Sequence, residues 1–399
     1  MTDNTSAGRD GWIATWTTAL IRPSFVFENP GNRGFENVTL RECFFSSAGG
    51  EAARVRLSNR YGTQPLVIGR AAIGARGKPF NSDLVEAATR PLTFSGETAV
   101  TIPPGADVLS DPTPFSLAPH QSYAVDIFLP GPTGPVGYNF ATMTTSFIAP
   151  GDCAGRAAGA PFQPSLSWYV LQDVEVEHNA ASQLIVAFCD SVSLTGQLDA
   201  NMRWPEIVSR LLRERFGEAA PSMIQSTLSG QRLVTSFKYA DCILDRFERD
   251  ILPKAGLKRI VVNVGVNDLG LGQMPDVDEY LPNRDVSAEE MIEGFRGIAR
   301  LAHEAGLKIF GSTITPGSGF AHKGNPYWSP AQEMKRRKIN DWIRANEVFD
   351  GVFDFARAVQ NPLDEEYFAP WASSDNIHPN DGGQYAIARC IDLDRLCAA

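Results

Sequence analysis

The sequence predicts two regions of different fold class: an all-β region over residues 1–180 and an α/β region with a parallel sheet over residues 181–399. Three observations carry this. Before about residue 150, short apolar or alternating runs are broken by proline and glycine turns, the pattern of a β-sandwich or jelly roll. After about residue 182, apolar runs alternate strictly with amphipathic stretches of helical period, the pattern of a parallel sheet covered by helices. Polar residues then cluster just past the apolar runs, where ligands bind in such sheets.

The elements follow in order. Arg54-Val55-Arg56-Leu57-Ser58 alternates as a half-buried strand does. Asn59-Arg60-Tyr61-Gly62 turns the chain, and Leu66-Val67-Ile68 is a second short run. Val100-Thr101-Ile102 stops at Pro103-Pro104-Gly105, and the run Tyr123–Leu129 stops at Pro130-Gly131-Pro132. Residues 150–180 read as a connector with some strand character at Trp168–Leu171. Leu184-Ile185-Val186-Ala187-Phe188 opens the second region as a buried strand. A helix starts near Pro205, whose fixed φ suits a first turn, and lines up Ile207, Val208, Leu211, Leu212 and Phe216. Ser222–Gln225 is a short strand. A helix from about Asp241 carries Leu244, Phe247 and Ile251, and Ile260–Val264 is the next strand. Ser287 and Glu290 form a capping box for a helix that Gly306 closes, with Leu307–Phe310 the strand after it. A helix over Met334–Phe349 and a strand over Val352–Phe355 complete the alternation.

Composition narrows the function. The 399 residues are 43% hydrophobic and 21% charged, so full cores can form. Lys and Arg number 36 against 46 Asp and Glu, a net charge of −10 that argues against a nucleic-acid or acidic-membrane binder. No apolar run approaches the ~18 residues of a membrane span. The six cysteines form no CxxC pair, and the five histidines are dispersed with no HExxH, so no metal or cofactor site is signalled. Cys390 and Cys397 are spaced so that a small disulfide or two separate thiols would fit. The start Met1-Thr2-Asp3-Asn4 lacks a basic and an apolar leader segment, as expected of a cytoplasmic chain, or of a secreted or periplasmic one whose leader has been removed.

Four polar groups stand at the strand ends. Ser191 follows the first strand, Gly230 the second and Asn267 the third, and Asp375 and His378 precede the last helix. A serine after a strand is usually a helix cap, and a lone histidine is usually structural. Together, these groups supply a nucleophile, a base, an orienting carboxylate and hydrogen-bond donors for an oxyanion. His303 lies near a helix C-terminus, where it suits the dipole. His120 and His178 lie in polar loops, and His322 in a Gly/Pro-rich loop.

In order, Cys189-Asp190-Ser191, Gly230, Gly265-Val266-Asn267-Asp268 and Asp375-Asn376-Ile377-His378 resemble the four blocks of the SGNH hydrolase superfamily, the GDSL lipase/esterase family. The resemblance spans residues 182–398. The β-rich half, through Arg54–Gly69 and Pro103-Pro104-Gly105, resembles the sandwich region of larger bacterial members. The resemblance implies a flavodoxin-like three-layer α/β/α domain and a catalytic triad of Ser191, Asp375 and His378. It implies an oxyanion hole of the Ser191 N–H, the Gly230 N–H and the Asn267 side chain, with no cofactor. It also implies a small-molecule or carbohydrate ester as substrate. Asp190 and Asp268 are expected to hold loops.

Two positions depart from the family. Cys189 replaces the first-block glycine, and Gln225-Ser226-Thr227-Leu228-Ser229-Gly230 lacks the first glycine of an Asn-x-Gly-x-x-Gly block. Either the local turns differ or these positions do not need glycine's freedom. The rival readings are an acyltransferase, Cys189 as nucleophile, a glycosidase using Asp190 and Asp375, and a sugar-binding sandwich fused to an inactive hydrolase. The loop Thr315–Pro330, with Phe320, Tyr327 and Trp328, is expected either to rim the pocket or to pack as an ordinary loop.

Overall fold

The computed structural model describes residues 11–24, 28–140, 142–178, 183–274, 281–345 and 348–398; the first four residues lie outside this set. The chain divides into two compact units, residues 1–182 and 183–399.

In the first unit every pairing between neighbouring strands is antiparallel. One sheet runs Trp12–Thr17, Leu171–Glu177, Gly50–Ser58, Asp107–Leu109, with Thr113–Leu117 also on Gly50–Ser58. The other runs Gln163–Ser165, Ser146–Pro150, Val38–Phe45, Ser122–Leu129, Arg70–Arg76, Leu84–Leu92. Aromatic side chains of the two sheets meet: Trp16 lies 5.8 Å from Phe44, and Phe115 lies 5.8 Å from Tyr123.

The connector expected over residues 150–180 is corrected. Leu171–Glu177 is an inner strand, paired on both sides. Its acidic run Asp173-Val174-Glu175-Val176-Glu177 disguises it, because charge normally marks a solvated edge. Here Arg54 pairs with Glu175 at 2.5 Å and Arg56 with Asp173 at 3.4 Å, so the charged face is covered as well as the Val174 and Val176 face. The same pairs bury Arg54, on the face read as solvated. Glu42 is fully buried. Its two oxygens accept the N–H groups of Tyr169 (2.7 Å) and Leu171 (3.2 Å), satisfying backbone where the chain turns into that strand. Burial pushes its carboxyl up to about 8, against the lowering effect of those N–H groups.

The second unit is built on a five-stranded sheet: β1 (Leu184–Cys189), β2 (Ser222–Thr227), β3 (Leu257–Asn263), β4 (Lys308–Ser312) and β5 (Gly351–Phe353). All neighbours are parallel in the order β2-β1-β3-β4-β5. The connections are α1 (Trp204–Phe216), α2 (Ile243–Arg246, continued by a π-turn Phe247–Ile251), α3 (Val266–Leu271), α4 (Ala288–Glu304) and α5 (Pro330–Ala345), and after β5 come α6 (Phe355–Val359), α7 (Asp381–Arg389) and α8 (Leu393–Cys397). Two packing groups form: α7 with α1 and α6, and α4 with α2 and α5, with α3 against α5. The chain leaves β1 to one side for β2, then crosses to the other side for β3. That reversal opens a crevice at the C-terminal end of β1.

Several boundaries shift by a few residues, and two of the shifts have a local cause. β5 stops at Phe353 because Asp354 caps α6, its carboxylate accepting the Arg357 N–H at 3.2 Å. α5 begins at Pro330, a favourable first-turn residue, rather than at Met334. The six cysteines are free thiols, Cys390 and Cys397 included.

Candidate active site

β1 delivers the chain to Asp190, which caps a 3-10 turn, Ser191–Ser193. The Asp190 carboxylate accepts the Val192 N–H at 2.9 Å and its carbonyl accepts the Ser193 N–H at 3.1 Å. The Ser191 N–H, first of the turn, is left without a partner among the described residues. Burial pushes the Asp190 carboxyl up to about 8, with repulsion from Asp268 adding to the rise.

Cys189 and Thr227 are the last residues of β1 and β2, and they face each other in the ladder. Both lie in extended backbone, so neither position needs a glycine. Cys189 is fully buried, and burial holds its thiol far above its ordinary range, so it offers no thiolate. Asp190, also buried and tied to backbone N–H groups, does not stand open beside Asp375 as a paired acid would.

Two glycines are required. Gly230, after β2, has φ +72, and its N–H is also unpartnered among the described residues. Gly265 enters α3 with φ +128, where a Cβ would come within 2.7 Å of the Ile314 side chain. Asn267 stands on α3, buried, its Nδ2 donating to the Gln231 carbonyl at 3.0 Å. Asp268 accepts the Leu233 and Val234 N–H groups at 2.8 and 3.1 Å, tying the segment after Gly230 to α3. Burial pushes its carboxyl up to about 6.

Asp375 and His378 lie on the turn before α7. Asp375 Oδ1 accepts the N–H groups of Ile377 (3.0 Å) and His378 (2.8 Å) and the Ser373 hydroxyl (3.1 Å). Its Oδ2 lies 2.7 Å from His378 Nδ1, and His378 Nε2 lies 3.1 Å from Ser191 Oγ. Partial burial raises the Asp375 carboxyl, but the His378 ring and the two N–H groups outweigh it and hold the group well below the usual carboxylate range. With Nδ1–H donated to the carboxylate, Nε2 is the lone-pair nitrogen facing the serine.

The sequence reading missed the residues that lock this geometry. Gln384, on α7, donates to the Val192 carbonyl at 2.8 Å, and Thr195 donates to the Pro379 carbonyl at 3.0 Å. The Ser191 loop and the His378 turn are thus bonded to each other. In the Thr315–Pro330 loop Tyr327 and Trp328 are buried, Gly319, Ala321, Lys323 and Gly324 are exposed, and the Phe320 ring meets the His378 ring edge-on at 5.8 Å. His303 pairs with Asp350 at 3.0 Å. Among the described residues no group of three or more metal-ligating side chains converges, and no helix is long and apolar enough to cross a membrane.

A family model described as GDSL-like lipase/acylhydrolase matches residues 188–386. Similar solved structures include a GDSL-like lipase from Bacteroides thetaiotaomicron, at 16% identity and TM-score 0.38, covering 54% of this chain and 89% of that one. A catalytic mutant of an acetylxylan esterase from Geobacillus stearothermophilus matches at 14% identity and TM-score 0.40, over 54% of this chain and 94% of that one. An α/β hydrolase from the metagenome of Lake Arreo, Spain, matches at 17% identity and TM-score 0.37, over 52% and 92%. No curated protein sequence matches the chain.

Proposed function

Residues 188–386 belong to the GDSL-like lipase/acylhydrolase family, within the SGNH hydrolase superfamily, and from that premise we propose that this chain is a serine esterase acting on carboxylic esters through an acyl-serine. The observation that carries the reading is the chain of contacts Asp375 Oδ2, His378, Ser191 Oγ, at 2.7 and 3.1 Å.

His378 Nε2 takes the Ser191 proton as Oγ attacks the acyl carbon, and the carbonyl π electrons move onto oxygen. The oxyanion forms against the Ser191 and Gly230 N–H groups and the Asn267 amide, donors set before the charge develops. Collapse expels the alcohol, which takes the proton back from His378. Water then repeats the sequence on the acyl-serine, releasing the carboxylic acid and restoring Ser191. Asp375 fixes the imidazole tautomer and stabilises the imidazolium.

The same reading takes residues 183–399 as a flavodoxin-like three-layer domain and the first unit as a β-sandwich of jelly-roll kind. It takes the substrate as a carbohydrate ester or another small acyl ester. A serine-directed phosphonate tests it: a single label at Ser191 is expected, and labelling elsewhere or not at all sinks the assignment. A series of p-nitrophenyl esters from acetate to decanoate, run beside acetylated sugars, ranks the substrates.

A further inference from the structure

We infer that Tyr327 is a positioning residue for the oxyanion hole, acting through Asn267; the inference rests on the esterase reading above.

Asn267 can serve an oxyanion only if its amide is turned with nitrogen toward the site. Two neighbours fix that turn. The Gln231 carbonyl, 3.0 Å from Nδ2, can only accept, so the amide nitrogen must face it. The amide oxygen then faces the Tyr327 hydroxyl at 2.7 Å, and since Oδ1 cannot donate, the tyrosine must. One Nδ2–H is spent on Gln231, and the other is the amide's remaining donor. A hydrogen bond received by the amide oxygen also draws electron density from the nitrogen and strengthens its donors. The Gln231 carbonyl forbids the flipped amide, and Tyr327 does two further things to Asn267: it pins the amide oxygen in place and sharpens the N–H left for the oxyanion.

The ring is held for this task. A Cβ on Gly270 would lie 1.9 Å from Tyr327 Cε1, so the phenol packs flush on the α3 backbone one turn beyond Asn267. Its own N–H donates to the Phe320 carbonyl at 3.1 Å, and the two rings meet edge-on at 5.2 Å. Phe320 in turn abuts His378. One short hairpin, closed by Ala321–His322 on Asn325–Pro326, thus touches both the base and the oxyanion donor.

The test is a double-mutant cycle on the full chain, with phosphonate labelling and melting temperature recorded for each variant. Tyr327→Phe removes the hydroxyl and keeps the ring. It is expected to lower kcat about tenfold with KM nearly unchanged, and to leave Ser191 labelled. In an Asn267→Ala background the same substitution should cost almost nothing further. Gly270→Ala, which keeps the hydroxyl but displaces the ring, should reproduce the kcat loss. Equal losses from Tyr327→Phe in both backgrounds, or no loss in either, overturn the positioning role while leaving the esterase reading intact. A chain whose Ser191 resists the phosphonate overturns that reading and, with it, this one.

Discussion

Glu42 in the first unit and Asp190 in the second are a matched pair of opposites. Each is a fully buried carboxyl, held by backbone N–H groups and pushed up to about 8. A perturbed acid of this kind is often taken as a sign of a functional site. At Glu42 the N–H groups of Tyr169, Val170 and Leu171 all turn to the carboxyl. At Asp190 the carboxyl occupies Val192, leaving the Ser191 N–H idle next to a hydroxyl that faces a histidine. The difference teaches that burial and a displaced pKa describe a load on the fold. A site is marked by donors left unspent beside a nucleophile.

The comparison can be broken most forcefully at the reacting groups. Ser191→Ala and His378→Ala are expected to lower kcat by about 10⁴-fold or more with little change in melting temperature. If His378 merely braced the turn before α7, His378→Ala would cost about 1 kcal/mol of stability and leave turnover per folded molecule intact. Measuring both on one preparation decides. Asp375→Asn follows, with kcat down about 10³–10⁴-fold. Asp375 Oδ1 receives three donors, so the amide oxygen must stay there and the NH₂ must face His378 Nδ1. That forces the proton onto Nε2, the wrong tautomer. A near-normal rate for Asp375→Asn would remove the carboxylate from the account. Asn267→Ala should lower kcat by about 10²–10³-fold with KM nearly constant, and unchanged kcat would place it outside the oxyanion hole.

The smallest effect sharpens the contrast itself. The folded Glu42 value of about 8 lies above its ordinary 4.5, so the folded state holds this proton longer than the unfolded chain does. The stability gained is complete below about pH 4.5 and is lost as pH rises through about 8. Glu42→Gln should flatten that part of the melting-temperature curve and leave kcat untouched. Asp190→Asn should flatten it too, but lower kcat about tenfold, because an amide NH₂ cannot accept as a carboxyl oxygen does, and the carboxyl is held by the N–H groups of both Val192 and Gly265. An Asp190→Asn enzyme of full activity would erase the distinction between the two acids. Asp375 runs the other way: its lowered value favours the folded state above the ordinary carboxylate range and withdraws that support as pH falls.

The elements of the second unit were legible because their apolar runs are short and separated by helical periods. The candidate residues were legible because each sits in a compact block, at a strand end or just before the helix α7. What was not legible depends on partners far along the chain. The acidic run Asp173–Glu177 looks solvated until Arg54 and Arg56 arrive from residues more than a hundred positions away. Gln384 and Thr195 are ordinary polar residues until α7 and the Ser191 loop come together. Tyr327 reads as one aromatic in a loop, since nothing local says that its hydroxyl meets Asn267 or that Gly270 leaves room for its ring. Cys189 and Thr227 looked like two separate departures, but they are neighbours in one ladder, which only the strand pairing reveals.

The Ser191–His378 hydrogen bond joins residues 187 positions apart. Contacts of such long range are bought late in folding, after shorter loops have closed, because each carries the entropy of the chain between its ends. The site is therefore a clock set to the end of the process. On refolding from denaturant, helical signal and tryptophan burial should return first, and the ability to react with a phosphonate should lag behind them.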